Sequence, residues 1–511
     1  AVKAYKLPPL TLSNNMKKFV LLLALALTGF AANAQIKRPK LVVGIIIDQM
    51  RWDYLNYYYD QYCDGGFKRL INEGFSCDNN MINYLPTVTA IGHTSTYTGA
   101  TPAIHGIAGN NFQIDGKDVY CCKDTTVESV GSKNDAGRMS PCNLLSTTIG
   151  DQIRLATDFN SKVIGVALKD RAAILPAGRS ANAAYWYDTK AGKFVTSTYY
   201  MPQLPKWVNK FNGKIKIKPG TDPKMLPEGA TMTFDLAEAT VKNEQLGKGK
   251  YTDMICVSIS STDAMSHKYG TRGEDNKAVY MATDKGLAHF LSFLDKEVGR
   301  GQYLLFLTAD HGGCHNPNYL AEHKIATVGW DGYKVVANIN AKLAEKYGKE
   351  GKYISSIMDC RVYLNHGWLE ANNIDADEVK AFAIKQLKKE KNLQWVVDME
   401  HAATASVPQI VRERVINGYN LHRSGDIMVL PRPAGFTWTY DDKYRGASHY
   451  NWNPYDSHIP LIFMGWHVRQ GRTATPTRII DTAATICDLL RIQMPNGCIG
   501  DAITEVEIDK K

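Results

Sequence analysis

The chain has 511 residues, 44% of them hydrophobic and 22% charged. That is an ordinary globular composition, too long for one small core and suited to about two to four domains' worth of chain or to one α/β protein with large insertions. Sixty Lys and Arg against 51 Asp and Glu give a formal net charge of +9. The basic residues are scattered, so they can help to attract anions but do not make a nucleic-acid surface, and no nucleic-acid partner is expected.

Met16-Lys17-Lys18, the apolar run Phe19 to Phe30, and Ala32-Asn33-Ala34 before Gln35 read as the charged, apolar and small-x-small parts of a signal peptide. The expectation is a start at Met16, residues 1–15 as an upstream translation artefact, a signal peptide over 16–34 and a mature chain over 35–511. The apolar run is too short to span a bilayer comfortably. The residue directly after Ala34 is Gln35 and not Cys, which argues against a lipid anchor, and no other long apolar run occurs. The expected location is therefore periplasmic or secreted, with no stable membrane anchor. Ten Cys are present, and Cys63, Cys77, Cys121, Cys122 and Cys142 are dense enough to suggest one or two bridges in an exported protein. None forms a CxxC pair, which argues against a thiolate zinc site.

Leu41 to Ile47 is a near-continuous β-branched run without alternation, the pattern of a strand buried on both faces of a parallel sheet. It ends in Asp48. Similar runs lie at Lys162 to Leu168, Met254 to Ile259, Tyr303 to Thr308 and Ile459 to Met464. Helical patterns separate them, for example Asp275 to Val298, where Val279, Met281, Ala282, Leu287 and Phe290 could share a face. In open α/β sheets ligands bind beyond the carboxyl ends of the strands, so the polar residues after these runs should converge. Residues of about 179–250 and about 315–440 break the alternation and read as cap insertions. Tyr185, Trp186 and Tyr187 in the first of them are expected in the core.

Five segments carry candidate chemistry. Asp48 after the first run is either a helix N-cap or a ligand. Thr89, in Pro86-Thr87-Val88-Thr89-Ala90-Ile91-Gly92-His93, is either an N-cap or a nucleophile beside amides that favour phosphate. A Thr hydroxyl needs a base or a metal to attack at neutral pH. Asp263 and His267 are four apart and fall on one helical face, as a surface pair or as ligands. Asp310-His311-Gly312-Gly313 can place a carboxylate and an imidazole around a metal. His449 and His458 compete in the fifth segment. Carboxylates and imidazoles without Cys suit zinc. Enough of them are present for two sites, which suit in-line displacement at phosphorus.

The set DQMRWDY, PTVTAIGHTS, HGIAGN, LKDRAAI, STDxxSHxYG, TADHGG and SHxxxxPYDSHIPL, spanning about Lys40 to Pro460, resembles the alkaline phosphatase superfamily. Within it, the pattern is similar to the bacterial periplasmic Thr-nucleophile alkaline phosphatases of PafA type. The resemblance implies a mostly parallel central sheet flanked by helices, with inserted cap regions. It implies one zinc on Asp263, His267 and His449, and a second on Asp48, Asp310, His311 and the Thr89 oxygen. His458 is then a supporting or structural residue. Asn110, Lys169 and Arg171 are implied on the phosphoryl oxygens. A guanidinium and an ammonium suit the dianion of a monoester better than a diester. The implied reaction is release of inorganic phosphate from small phosphate monoesters through a phosphothreonine at Thr89. A two-zinc phosphodiesterase or nucleotide pyrophosphatase is the alternative within the superfamily, and a zinc-binding protein with a dead site the alternative outside enzymes. Nothing in the sequence fixes the oligomeric state; a monomer is the default.

Overall fold

Strand β1 (Leu41–Ile47) lies in the middle of the main sheet, and all seven of its residues are buried. Each buried Val or Ile contributes roughly 1.5–3 kcal/mol relative to exposure, which is why this run needs a neighbour on both faces. Gly44 admits one of them closely: a Cβ there would lie 2.2 Å from the Tyr97 hydroxyl oxygen. The remaining elements that build the site are helix α1 (Thr89–Thr98), strand β2 (Val163–Ala167), strand β3 (Asp253–Ile259), helix α2 (Ser261–Tyr269), strand β4 (Tyr303–Thr308) and strand β5 (Leu461–Gly465).

The computed structural model describes residues 13–16, 18, 37–327, 329–437 and 443–508. The chain divides after Arg38 into two units. In the first, residues 14–16 are helical; the apolar run and cleavage site of the expected signal peptide lie outside the described residues. No helix among the described residues is long and apolar enough to cross a membrane.

Among the described residues, ten strands form the main sheet of the second unit. β4, β1, β3 and β2 run parallel in that spatial order, with Ile46 opposite Thr308 and Ile47 opposite Ile259. Their carboxyl ends therefore share one edge. The mostly parallel sheet flanked by helices is the expected fold. Helix Glu274–Leu294 buries Val279, Leu287 and Phe290 against it, with Met281 half-buried on the flank.

Three expectations change. β5 is antiparallel to β4, with Leu461 opposite Thr308. Its amino end thus lies at the edge where the parallel strands finish, so the segment before it, carrying His449, arrives at the same place. Residues 179–250 are not a cap. Ala183–Asp188 and Lys193–Ser197 are strands of the main sheet itself, and Tyr185, Trp186 and Tyr187 are buried in it, as expected of core aromatics. No disulfide links the set Cys63, Cys77, Cys121, Cys122 and Cys142. Cys77 packs in a different hydrophobic cluster from Cys121 and Cys122, and the sulfurs of that neighbouring pair stand 4.0 Å apart, far beyond the roughly 2.05 Å of a bond.

The span expected as the second cap builds a four-stranded antiparallel sheet from Ile354–Met358, Arg361–Leu364, Ile427–Pro431 and Leu393–Asp398. Helices Gly332–Tyr347 and Ala376–Leu387 contribute to its own hydrophobic cluster.

Candidate active site

At the shared edge the chain gathers three carboxylates and three imidazoles. Asp48 follows β1 directly, and its N–H donates to Ile259 O of β3 at 3.1 Å. Asp310 and His311 follow β4. Asp263 sits in the first turn of α2, where the helix dipole favours an anion, and His267 is one turn on. His449 is fixed by its Nδ1 at 2.6 Å from Thr87 O.

Asp48, Asp310 and His311 form one group of ligand atoms within 4.8 Å of one another, and Asp263, His311 and His449 form another. His267 joins the second group through Asp263, its Nε2 3.0 Å from Oδ1. The rings of His311 and His449 stack with centroids 3.7 Å apart. His458 stands away from this: its Nε2 lies 2.9 Å from Asp78 O and its ring stacks on Trp52. Of the two competing histidines, His449 is the one brought to the carboxylates.

The donor set fits divalent ions on three counts. Asp48 Oδ1, Asp310 Oδ2 and His311 Nε2 are buried without a hydrogen-bond partner, an arrangement that normally costs about 1–3 kcal/mol per group. The His311 nitrogen lies 3.7 Å from Asp48 Oδ1 and 3.5 Å from Asp310 Oδ2. Ligand atoms about 2.1 Å from one tetrahedral ion stand roughly 3.4 Å apart. Finally, Nδ1 of His267, His311 and His449 each faces a backbone carbonyl, of Ala447, Gly312 and Thr87 respectively. A proton held there leaves Nε2 free to coordinate.

Electrostatics agree. Burial, reinforced by Asp263 and Asp310, pushes the Asp48 carboxyl well above its ordinary value against the pull of Lys169. Burial also works on Asp263 and Asp310, but His267 with Lys169, and His311 with His93, hold those two below the ordinary range. Burial lowers His311 and His449, which favours the neutral imidazole that can coordinate a metal.

Thr89 is 2% exposed and is the first residue of α1, after Val88 in an extended N-cap conformation. Its side chain is therefore not the cap. The N–H of Ala90 instead donates to Asn110 Oδ1 at 3.0 Å. Gly92 lets α1 lie against the β4 loop: a Cβ there would be 2.1 Å from Asp310 O.

Lys169 is buried, and its Nζ lies 2.6 Å from both Asp48 Oδ2 and Asp263 Oδ2, one carboxylate from each ligand set. The resemblance implied it on the substrate; here it bridges the acids. Arg171 is held by its Nη1 donating to Tyr120 Oη at 3.1 Å. Burial opposes its charge, but Tyr120 and Asp170 more than offset this and keep it cationic.

Two participants escaped the sequence reading. His93, one turn after Thr89, sits with Nδ1 2.9 Å from Thr89 O and Nε2 2.8 Å from Ser258 Oγ. Its Nδ1 is also 3.2 Å from Asp310 Oδ2. The four-residue spacing from Thr89 was the available signal. Gln49, beside Asp48, contacts both acids of the other segments.

A profile of the family described as type I phosphodiesterase / nucleotide pyrophosphatase matches residues 42–456. The chain is 44% identical over 96% of its length to a Myroides odoratus protein named calcium-transporting ATPase, covering 99% of that protein. It is 41% identical to the alkaline phosphatase PafA of Elizabethkingia meningoseptica, over 96% of this chain and 99% of that one. A crystal structure of wild-type alkaline phosphatase PafA superposes with a TM-score of 0.88 at 41% identity, over 93% of this chain and 100% of that one. The chain belongs to the type I phosphodiesterase / nucleotide pyrophosphatase family of the alkaline phosphatase superfamily, and is an alkaline phosphatase, a hydrolase of phosphate monoesters.

Proposed function

We propose that the enzyme is an exported, two-zinc alkaline phosphatase in which Thr89 is the nucleophile. The observation that carries the reading is the trio of buried, unpartnered ligand atoms on Asp48, Asp310 and His311. Zinc suits sites in which imidazoles join carboxylates. The residues that would hold it are Asp48, Asp310 and His311 with Thr89, and Asp263, His267 and His449. The bound ions supply Lewis acidity, lowering the pKa of the attacking group and stabilising charge on the leaving oxygen.

The chain's own groups do the rest. Thr89 Oγ1 gives up its proton to solvent and attacks phosphorus in line, the bond from phosphorus to the leaving oxygen breaks, that oxygen takes a proton from solvent, and a phosphothreonine forms. Water then attacks the phosphothreonine from the side the leaving group has vacated, releasing inorganic phosphate and restoring Thr89. With its oxygen held by the Ala90 N–H at the start of α1, Asn110 would offer its amide nitrogen to a phosphoryl oxygen. Lys169 is one cation among the acids; once ions neutralise these, its ammonium is available to the phosphate. Arg171, held from behind by Tyr120, offers its remaining N–H groups to the same dianion. The terminal phosphoryl group of a nucleoside triphosphate presents the same charged face, so the name of the Myroides relative asks for no different site. The export reading rests on the signal-peptide pattern at 16–34.

The decisive variant is Thr89→Ala. Loss of monoesterase activity on the order of 10⁴-fold or more is expected, and retention of near wild-type activity excludes Thr89 as nucleophile. The family profile's description keeps a diesterase reading in play. Rates on an aryl phosphate and its methyl-aryl diester separate the two, the monoester being the faster substrate here.

A further inference from the structure

Gln49 has a φ of +61°, in the left-handed region where glycine is unstrained and a longer residue is not. Its side chain is almost wholly buried. Its backbone N–H donates to Asp310 Oδ1 at 3.1 Å. Its amide nitrogen donates to Asp263 Oδ1 at 2.7 Å and lies 3.4 Å from His267 Nε2. An ionised carboxylate only accepts, so the atom facing Asp263 must be the amide nitrogen. That orientation leaves Oε1 buried without a partner. Gly313 makes the room: a Cβ there would lie 2.9 Å from Oε1. A glycine at 49 would relieve both the backbone strain and the unpartnered oxygen. The chain keeps a glutamine whose two donors reach one carboxylate from each ligand set.

We infer that Gln49 is a positioning residue that ties the two metal sites into one frame, holding Asp263 through its side chain and Asp310 through its backbone so that both ions load together beside Thr89. The inference rests on the two-zinc reading above. It goes beyond it in assigning the coupling of the sites to a residue that binds no metal.

The test follows zinc release from the full-length, zinc-loaded enzyme against a chromogenic chelator, for wild type, Gln49→Ala and Gln49→Gly. Both variants are expected to hold zinc about 10- to 100-fold more weakly, and to release the two ions in separate phases where wild type releases them in one. Wild-type affinity in both variants overturns the inference. So does weakening in Gln49→Ala but not in Gln49→Gly, because backbone strain and not the amide would then be responsible. Release of both ions in a single phase from the variants, as from wild type, overturns the coupling. A wild-type enzyme that binds no zinc fails the two-zinc reading before any variant is compared, and takes this inference with it.

Discussion

Among the described residues, acids and histidines meet the same distance requirement for a metal at two places, the sheet edge and an outlying cluster, and the two differ in everything else. At the sheet edge, Asp48, Asp310 and His311 are fully buried, with three ligand atoms that nothing satisfies. At the end of the Leu393–Asp398 strand of the four-stranded sheet, Asp398, Glu400 and His401 are half-buried or exposed. Lys380 Nζ lies 3.5 Å from Asp398 and 3.3 Å from Glu400, and His401 Nδ1 is 3.1 Å from Asp398 Oδ2. Proximity alone is thus uninformative. Solvent reaches the second cluster and a lysine neutralises it, whereas at the first a single lysine, Lys169, faces three buried carboxylates and leaves ligand atoms without a hydrogen bond, a deficit that a bound cation would remove.

Emptying each cluster in turn tests that contrast most strongly. Asp310→Ala should lower kcat/KM by on the order of 10³-fold or more, because several kcal/mol of charge stabilisation go with the ion. Asp398→Ala should leave it within about 2-fold, as befits an exposed pair of small energetic weight. Steady-state kinetics on an aryl phosphate read both. Equal losses would end the distinction.

The next effect concerns the cations beside the buried cluster. Lys169→Ala and Arg171→Ala should each cost roughly 10- to 100-fold on the monoester, the value of a charge-assisted hydrogen bond, and less on a methyl diester. Lys169→Ala should also raise the zinc needed for activity little, since the ions and not the lysine neutralise Asp48 and Asp263. An equal loss on both substrates would mean that neither residue reads the dianion.

The smallest effect lies at His105. His105 accepts the Ile107 N–H on Nδ1 at 3.1 Å and faces Ser95 Oγ with Nε2 at 3.0 Å, so it is the neutral tautomer. Burial, with Arg423 nearby, lowers its pKa to about 3. The unfolded chain takes a proton near pH 6.5 that the folded chain refuses. This contribution is therefore present above about pH 6.5 and is lost as pH falls from there toward about 3. Between pH 7.5 and 5.5 it amounts to about 1 kcal/mol. Urea midpoints at the two values should show that fall on top of other titrations, and His105→Gln should flatten it. An unchanged slope in the variant would remove His105 from the acid sensitivity.

Much of this site could be read in the sequence because its parts are local. An unbroken β-branched run must be buried on both sides, so the polar residues that end it, Asp48 and Asp310, mark the active edge. Asp263 and His267 announce a shared helical face by their spacing. What could not be read depends on direction and distance. The run at Ile459 to Met464 looks the same in a parallel and an antiparallel strand, yet only the antiparallel direction brings His449 to the edge. Tyr185-Trp186-Tyr187 suggested core without saying that the core was the main sheet. Cysteine spacing carries no information on the separation of sulfurs. The left-handed backbone of Gln49 leaves no mark in composition, since glutamine gives no sign that it stands where glycine would be easier.

The positions of the bound ions test the two-zinc site most directly. Anomalous diffraction at the zinc edge, from crystals of the zinc-loaded enzyme, should show two strong peaks. One should be bounded by Asp48, Asp310 and His311, the other by Asp263, His267 and His449, and no peak should appear at Asp398, Glu400 and His401. An active, zinc-loaded crystal with no peak among the buried ligands, or with its zinc at the exposed cluster, would contradict it.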